Sequence, residues 1–90
     1  MVGAPEYIGG IFGCSNNQLT NLIGGPKIVN CNYKCTNNNL TSLEGAPTYV
    51  GGDFDCRNNP NLPLEEIERY RNTGAVKGKI LCGEYINYEQ

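Results

Sequence analysis

The feature that most constrains this chain is a recurrence at a fixed lag of 21 positions. Phe12, Cys14, Asn17, Leu19 and Leu22 return, in the same order, as Tyr33, Cys35, Asn38, Leu40 and Leu43, and in part again as Phe54, Cys56 and Asn59. A period of roughly 20–29 residues marks a stacked, quasi-one-dimensional fold. A unit this short cannot bury its own apolar side. Neighbouring units must therefore stack at the strand spacing of about 4.7–4.9 Å and share one interior.

Stacking predicts ladders of like on like. Phe12, Tyr33 and Phe54 form one inward row, Cys14, Cys35 and Cys56 a second, and Leu19, Leu40 and Leu62 a third. Ile8, Val29 and Val50 add apolar bulk one short step before each strand. Asn17, Asn38 and Asn59 recur at an inward place, where side-chain amides can satisfy backbone groups that the turning chain leaves without partners. Corners are marked by Gly3-Ala4-Pro5, Gly24-Gly25-Pro26 and Gly45-Ala46-Pro47, and the pairs Gly9-Gly10 and Gly51-Gly52 precede two of the strands. Glycine suits sharp bends and close backbone approach, proline suits corners, and asparagine tolerates left-handed turn positions. The expected fold is an α/β repeat solenoid with a parallel β-sheet on one face and turns on the other. It forms a single domain over 1–90, with three 21-residue repeats over 3–61.

The pattern breaks after Asn59, where Pro60-Asn61 adds a residue and Leu62 falls late. Pro63 to Asn72 reads as a helix: proline in the first turn, Glu65 and Glu66 near the positive end, Arg69 and Arg71 near the negative end. Leu64, Ile67 and Tyr70 or Arg71 share one helical face. Val76 to Cys82 alternates like a last strand, with Tyr85, Ile86 and Tyr88 beyond. Residues 62–90 are thus expected to form a C-terminal helix-plus-strand cap.

The spacing Tyr33-x-Cys35-x-x-Asn38-x-Leu40, with its counterpart at Phe12 to Leu19, resembles the leucine-rich repeat pattern L-x-x-L-x-L-x-x-N-x-L. The short period and the wording Gly-Ala-Pro, Gly-Gly-Asp-Phe-Asp-Cys, Asn-Asn and Leu-Thr-Ser-Leu look like the compact repeats of bacteriophage and bacterial proteins. The resemblance covers roughly residues 3 to 64. The motif's first leucine is replaced, its slot falling on Gly9, Asn30 and Gly51. The resemblance implies a short leucine-rich-repeat stack and a phage- or bacterium-encoded factor that binds and modulates a host protein.

Several chemistries find no support in the residues. The formal charge is −2 and no run of like charge occurs, which argues against a nucleic-acid footprint. No stretch is apolar and long enough to cross a bilayer, and the N-terminus shows no secretory signal. The cytoplasm is the expected compartment, that of the host if the chain is phage-encoded. There is no histidine, no Cys-x-x-Cys and no glycine loop leading into a phosphate-gripping helix. The five cysteines are an odd number, three of them in phase with the repeat, as buried small hydrophobes in a reducing compartment would be. A redox or metal role for Cys31, Cys35 and Cys82 is the weaker reading. Glu65 with Glu66, and Asp53 with Asp55, read as solvated side chains rather than acid–base pairs. Asn39-Leu40-Thr41 fits a glycosylation sequon but means little without a secretory signal. No enzyme, cofactor or metal site is expected.

What remains is surface. If Phe54 and Cys56 point in, Asp53, Asp55 and Arg57 point out, beside Asn32, Lys34 and Thr36 and then Ile11, Gly13 and Ser15. Stacked folds commonly hold another protein on such a face. The expected function is therefore non-catalytic protein binding, with Asn32, Lys34, Thr36, Asp53, Asp55 and Arg57 as the partner-binding residues. Tyr49, Tyr70, Tyr85 and Tyr88 are further candidate anchors. The competing reading is a structural or oligomerisation module, or the terminal fragment of a longer repeat protein. The uncapped N-terminal edge would then be covered by a second copy, giving a homodimer.

Overall fold

The computed structural model describes residue 1, residues 3–82 and residues 86–88, the last three by their backbone. Eight short strands and one helix follow in order: β1 (Tyr7–Ile8), β2 (Phe12–Gly13), β3 (Ile28–Val29), β4 (Tyr33–Lys34), β5 (Tyr49–Val50), β6 (Phe54–Asp55), α1 (Leu64–Asn72), β7 (Ile80–Cys82) and β8 (Ile86–Tyr88). They form two sheets, one of order β1-β3-β5 and one of order β2-β4-β6-β7-β8. Pairing is parallel throughout the first sheet and from β2 to β7 in the second; only β8 runs antiparallel to its neighbour. The fold is therefore small α/β. The second sheet differs from the single-sheet expectation. It exists because Ile8, Val29 and Val50 do more than fill space: the residues around them are extended, and their backbones pair in register.

That register is the sequence lag made physical. Tyr7 stands opposite Ile28 and Ile28 opposite Tyr49, while Phe12 stands opposite Tyr33 and Tyr33 opposite Phe54. Like side chains consequently lie on one another. The ring centroids of Phe12 and Tyr33 are 5.2 Å apart and those of Tyr33 and Phe54 5.1 Å apart, within the range in which aromatic pairs attract beyond simple burial. Tyr33, Phe54, Leu22, Leu40, Val29 and Val50 are all fully buried. The helix closes this interior from the C-terminal side. Tyr70 brings its ring to 4.9 Å from that of Phe54, and its hydroxyl donates to the Pro47 carbonyl at 2.7 Å.

The turns use the expected chemistry. Asn16, Asn37 and Asn58 hold left-handed backbone at φ 62°, 56° and 61°, where asparagine is tolerated better than most residues. Gly45 sits at φ 91°, and a Cβ there would collide with the backbone of Leu22 and Ile23 in the preceding segment. Gly51 and Gly52 are needed for a different reason. A Cβ on either would strike Asn30 or Asn32 across the stack.

The C-terminal part departs in detail. Pro63 is not inside the helix but precedes it, with extended backbone at φ −68° and ψ 145°. Leu64 stays exposed, so the buried helical face is Ile67 and Tyr70. Glu66 is not simply solvated: its Oε1 accepts the Leu43 backbone N–H at 3.0 Å and the Arg69 guanidinium at 2.9 Å. These bonds pull its carboxyl below the usual range, the Leu43 N–H contributing most. Thr73 and Gly74 end the helix, and Val76 then bridges to Val50 before β7 joins β6.

Candidate functional site

The outer face of the five-stranded sheet is built by alternation along short strands. Inward Phe54 pairs with inward Ile80, so Asp55 and Leu81 share the outward row with Lys34 and Gly13. One step on, Ser15, Thr36 and Arg57 occupy the next outward places. Lys34, Thr36, Asp55, Arg57 and Asn58 surround a hollow of about 410 Å3.

The expected site residues meet on this face, but they are not equally available. Asp55 is only 7% exposed, which corrects its expected place among the outward solvated groups. Its strand is interior to the sheet, and the Arg57 side chain folds over it. Arg57 donates through Nε to Oδ1 at 2.9 Å and through Nη2 to Oδ2 at 2.8 Å, and its backbone N–H donates to Oδ1 at 3.2 Å. Both carboxylate oxygens are engaged, and the pair is of the bidentate kind that fixes a guanidinium plane. The Asp55 carboxylate in turn raises the Arg57 pKa further. Asp53 is also taken up within the fold, since its Oδ1 accepts the Lys79 backbone N–H at 2.8 Å. Asn32 is used in the same way, its Oδ1 accepting the Asp53 backbone N–H at 2.8 Å. Thr36 hydrogen-bonds Ser15 Oγ at 2.9 Å.

What the face offers outward is therefore cationic. Lys34 is exposed and forms no ion pair among the described residues, and about half of the Arg57 side chain is open to solvent. The guanidinium has N–H groups beyond those committed to Asp55. Asn58 completes the rim, a residue the sequence reading did not single out. Its signal was its place in the series Asn16, Asn37, Asn58 of left-handed turns, just beyond the strand end. Tyr70 is not a surface anchor, being buried against Phe54 and Pro47. Tyr49 is exposed, with the Lys77 Nζ 5.8 Å from its ring centre. Tyr85 and the side chain of Tyr88 lie outside the described residues.

The cysteines form the inward row that the sequence predicts. Cys14, Cys35 and Cys56 are buried and unpaired as thiols, and Cys31 is exposed. Burial pushes the Cys35 thiol well up and that of Cys56 to about 12. Neutral, inaccessible thiols are poor nucleophiles and poor metal ligands. Among the described residues no group of three or more His, Cys, Asp or Glu side chains could hold a metal ion, and no helix is long and apolar enough to cross a membrane.

Comparison with protein-family models, with curated proteins and with solved structures found no match to this chain.

Proposed function

We propose that this chain is a short leucine-rich-repeat-type solenoid that works as a non-catalytic protein-binding module through the outer face of its five-stranded sheet. On this reading residues 3–61 are its three repeats and 62–90 its cap. It is a phage- or bacterium-encoded factor that binds and modulates a host protein in the cytoplasm. The parallel register at a lag of 21 and the recurrent asparagine turns support the repeat assignment. The observation that carries the binding face is the Arg57 fork held rigid by Asp55 beside the unpaired Lys34, around one hollow. A guanidinium already fixed in place loses less rotamer entropy on meeting a partner.

The partner surface that fits is acidic. The test is affinity capture from host lysate with mass spectrometry, comparing wild type with Lys34→Glu and Lys27→Glu. Loss of a specific prey with Lys34→Glu, and its retention with a charge reversal at Lys27 away from this face, supports the assignment. Equal recovery from all variants refutes it. A second reading, a structural or oligomerisation module or the terminal fragment of a longer repeat protein, is supported by β1 and β2, which have no neighbour beyond them among the described residues.

A further inference from the structure

Asp55 takes one edge of the Arg57 guanidinium and leaves the other. The group carries five N–H donors, arranged as two forks. The fork along its side, Nε with Nη2, is spent on Asp55 Oδ1 and Oδ2 at 2.9 and 2.8 Å. The fork at its tip, Nη1 with the second N–H of Nη2, bonds no other described residue, and 49% of the side chain is open to solvent. Such a tip accepts a second carboxylate with two parallel hydrogen bonds. The first carboxylate already fixes its plane.

The neighbours of that tip are donors as well. Lys34 stands opposite Asp55 in register, yet both Asp55 oxygens are turned to Arg57, and the lysine forms no ion pair among the described residues. On its other side stands Gly13, where a Cβ would meet nothing within 4 Å, so space is left beside the ammonium. Asn58 differs from the two turn asparagines that it repeats. Asn37 Nδ2 donates to Asn16 Oδ1 at 3.0 Å, whereas the Asn58 amide bonds no described residue. The hollow between them sets Lys34 and Arg57 against Asp55, a singly positive lining on a chain of formal charge −2.

We infer that this hollow receives the side-chain carboxylate of a glutamate or aspartate on the partner protein, seated end-on at the free fork of Arg57, with Lys34 Nζ and Asn58 Nδ2 beside it. The inference rests on the proposed binding face and names the group that the face recognises. Arg57 then bridges two carboxylates, one from its own chain and one from the partner. Charge complementarity selects an acid. A glutamine in its place would offer one acceptor and turn an NH2 toward Arg57 and Lys34, which have only donors to give. A monoanion is selected over a phosphoryl dianion by the balance of two costs. Attraction to a singly positive site grows in proportion to the ligand's charge, whereas the cost of stripping its water grows with the square. Phosphoryl groups are moreover met by clusters of arginines, and this hollow has one guanidinium, half of it committed to Asp55.

The experiment titrates the full, isotope-labelled chain with short glycine peptides, N-acetylated and C-amidated, that carry glutamate, glutamine or phosphoserine at the centre. Ionic strength is held constant, and the Arg57 Nε–H and Asn58 Nδ2 resonances are followed by NMR. The glutamate peptide should move both saturably in the millimolar range, at least about fivefold tighter than the glutamine peptide and no weaker than the phosphoserine peptide. Arg57→Lys keeps the charge and removes the fork, and should weaken glutamate binding at least about fivefold. Lys34→Gln, at an exposed position that leaves the Asp55–Arg57 pair in place, should weaken it about threefold and stands in if the Arg57 variant does not fold. Equal response to glutamate and glutamine overturns the inference. So does tighter binding of phosphoserine, or glutamate binding that neither substitution weakens. Failure here is distinct from failure of the face itself: the peptides report on the carboxylate alone, whereas prey recovery with Lys34→Glu reports on the face.

Discussion

Asn38 is where the interior can be tested most sharply. The residue is 4% exposed and inward, yet polar. Its Oδ1 accepts the backbone N–H groups of Asn17 and Leu19, each at 3.1 Å, and its Nδ2 donates to the carbonyls of Cys14, Cys35 and Thr36 at 3.1, 3.1 and 3.2 Å. Replacement by leucine keeps the volume and removes every one of these bonds. The three carbonyls are not stranded: Cys14 still accepts from Asn17 Nδ2, Cys35 from Asn59 Nδ2, and Thr36 from the Asn16 N–H. The cost therefore falls on two N–H groups, at about 1–3 kcal/mol each when buried and unsatisfied. Asn17 and Leu19 are not fully enclosed, which sets the expectation at the low end, about 2–3 kcal/mol in total. For a domain of this size that is a fall in Tm of roughly 10–20 °C. Urea unfolding followed by far-ultraviolet circular dichroism at 25 °C measures it. Asn17→Leu is the internal control, because Asn17 Oδ1 accepts nothing among the described residues; it should cost less than about 1 kcal/mol. If Asn38→Leu costs less than about 1 kcal/mol, or if the two substitutions cost the same, the amide is not what holds the turn.

Other expectations follow from the same contacts. Gly45→Ala should destabilise by more than about 2 kcal/mol, since left-handed strain is joined by collision with the Leu22–Ile23 backbone, whereas Gly74→Ala meets open space and should cost only about 1 kcal/mol, both read from urea midpoints. Glu66 has a lowered pKa in the folded protein, so its contribution is present above the ordinary carboxylate value and is lost as pH falls through the folded value. Wild type should therefore lose stability between about pH 5 and pH 3 more steeply than Glu66→Gln, and parallel curves would contradict this. Iodoacetamide should label Cys31 fast in the native protein and leave Cys14, Cys35 and Cys56 unreacted until denaturant is added; rapid multiple labelling by mass spectrometry would overturn their burial. Arg57→Ala leaves the Asp55 carboxylate with the Arg57 backbone N–H as its remaining partner among the described residues and should lower the urea midpoint more than Lys34→Ala on the same face; equal midpoints would contradict this.

What could be read from the residues was whatever depends on the lag alone. Tyr33 between Phe12 and Phe54, Asn38 between Asn17 and Asn59, and the glycine close approaches at 51 and 52 all follow once segments are superposed. The first sheet was harder to see. Tyr7–Ile8, Ile28–Val29 and Tyr49–Val50 are two-residue strands, too short for any alternation to show. The place of Asp55 was missed for another reason. Period-two alternation assigns a side of the sheet but says nothing of whether Arg57, two residues on, folds back and covers the carboxylate. Tyr70 looked like a surface anchor because helical spacing leaves the choice between Tyr70 and Arg71 open. That α1 lays Tyr70 against Phe54 at the end of the aromatic row, which decides it, becomes visible only in three dimensions.

The constant lag carries a consequence for how such a chain can change over generations. From β1 to β6 every strand answers to the residue 21 positions away. A single-residue insertion within one of these strands would slide it one place past its neighbour and turn its inward side chain toward water, whereas an insertion in a turn can be taken up there. The extra residue at Pro60-Asn61 lies in such a turn, between β6 and α1, where no strand register is at stake.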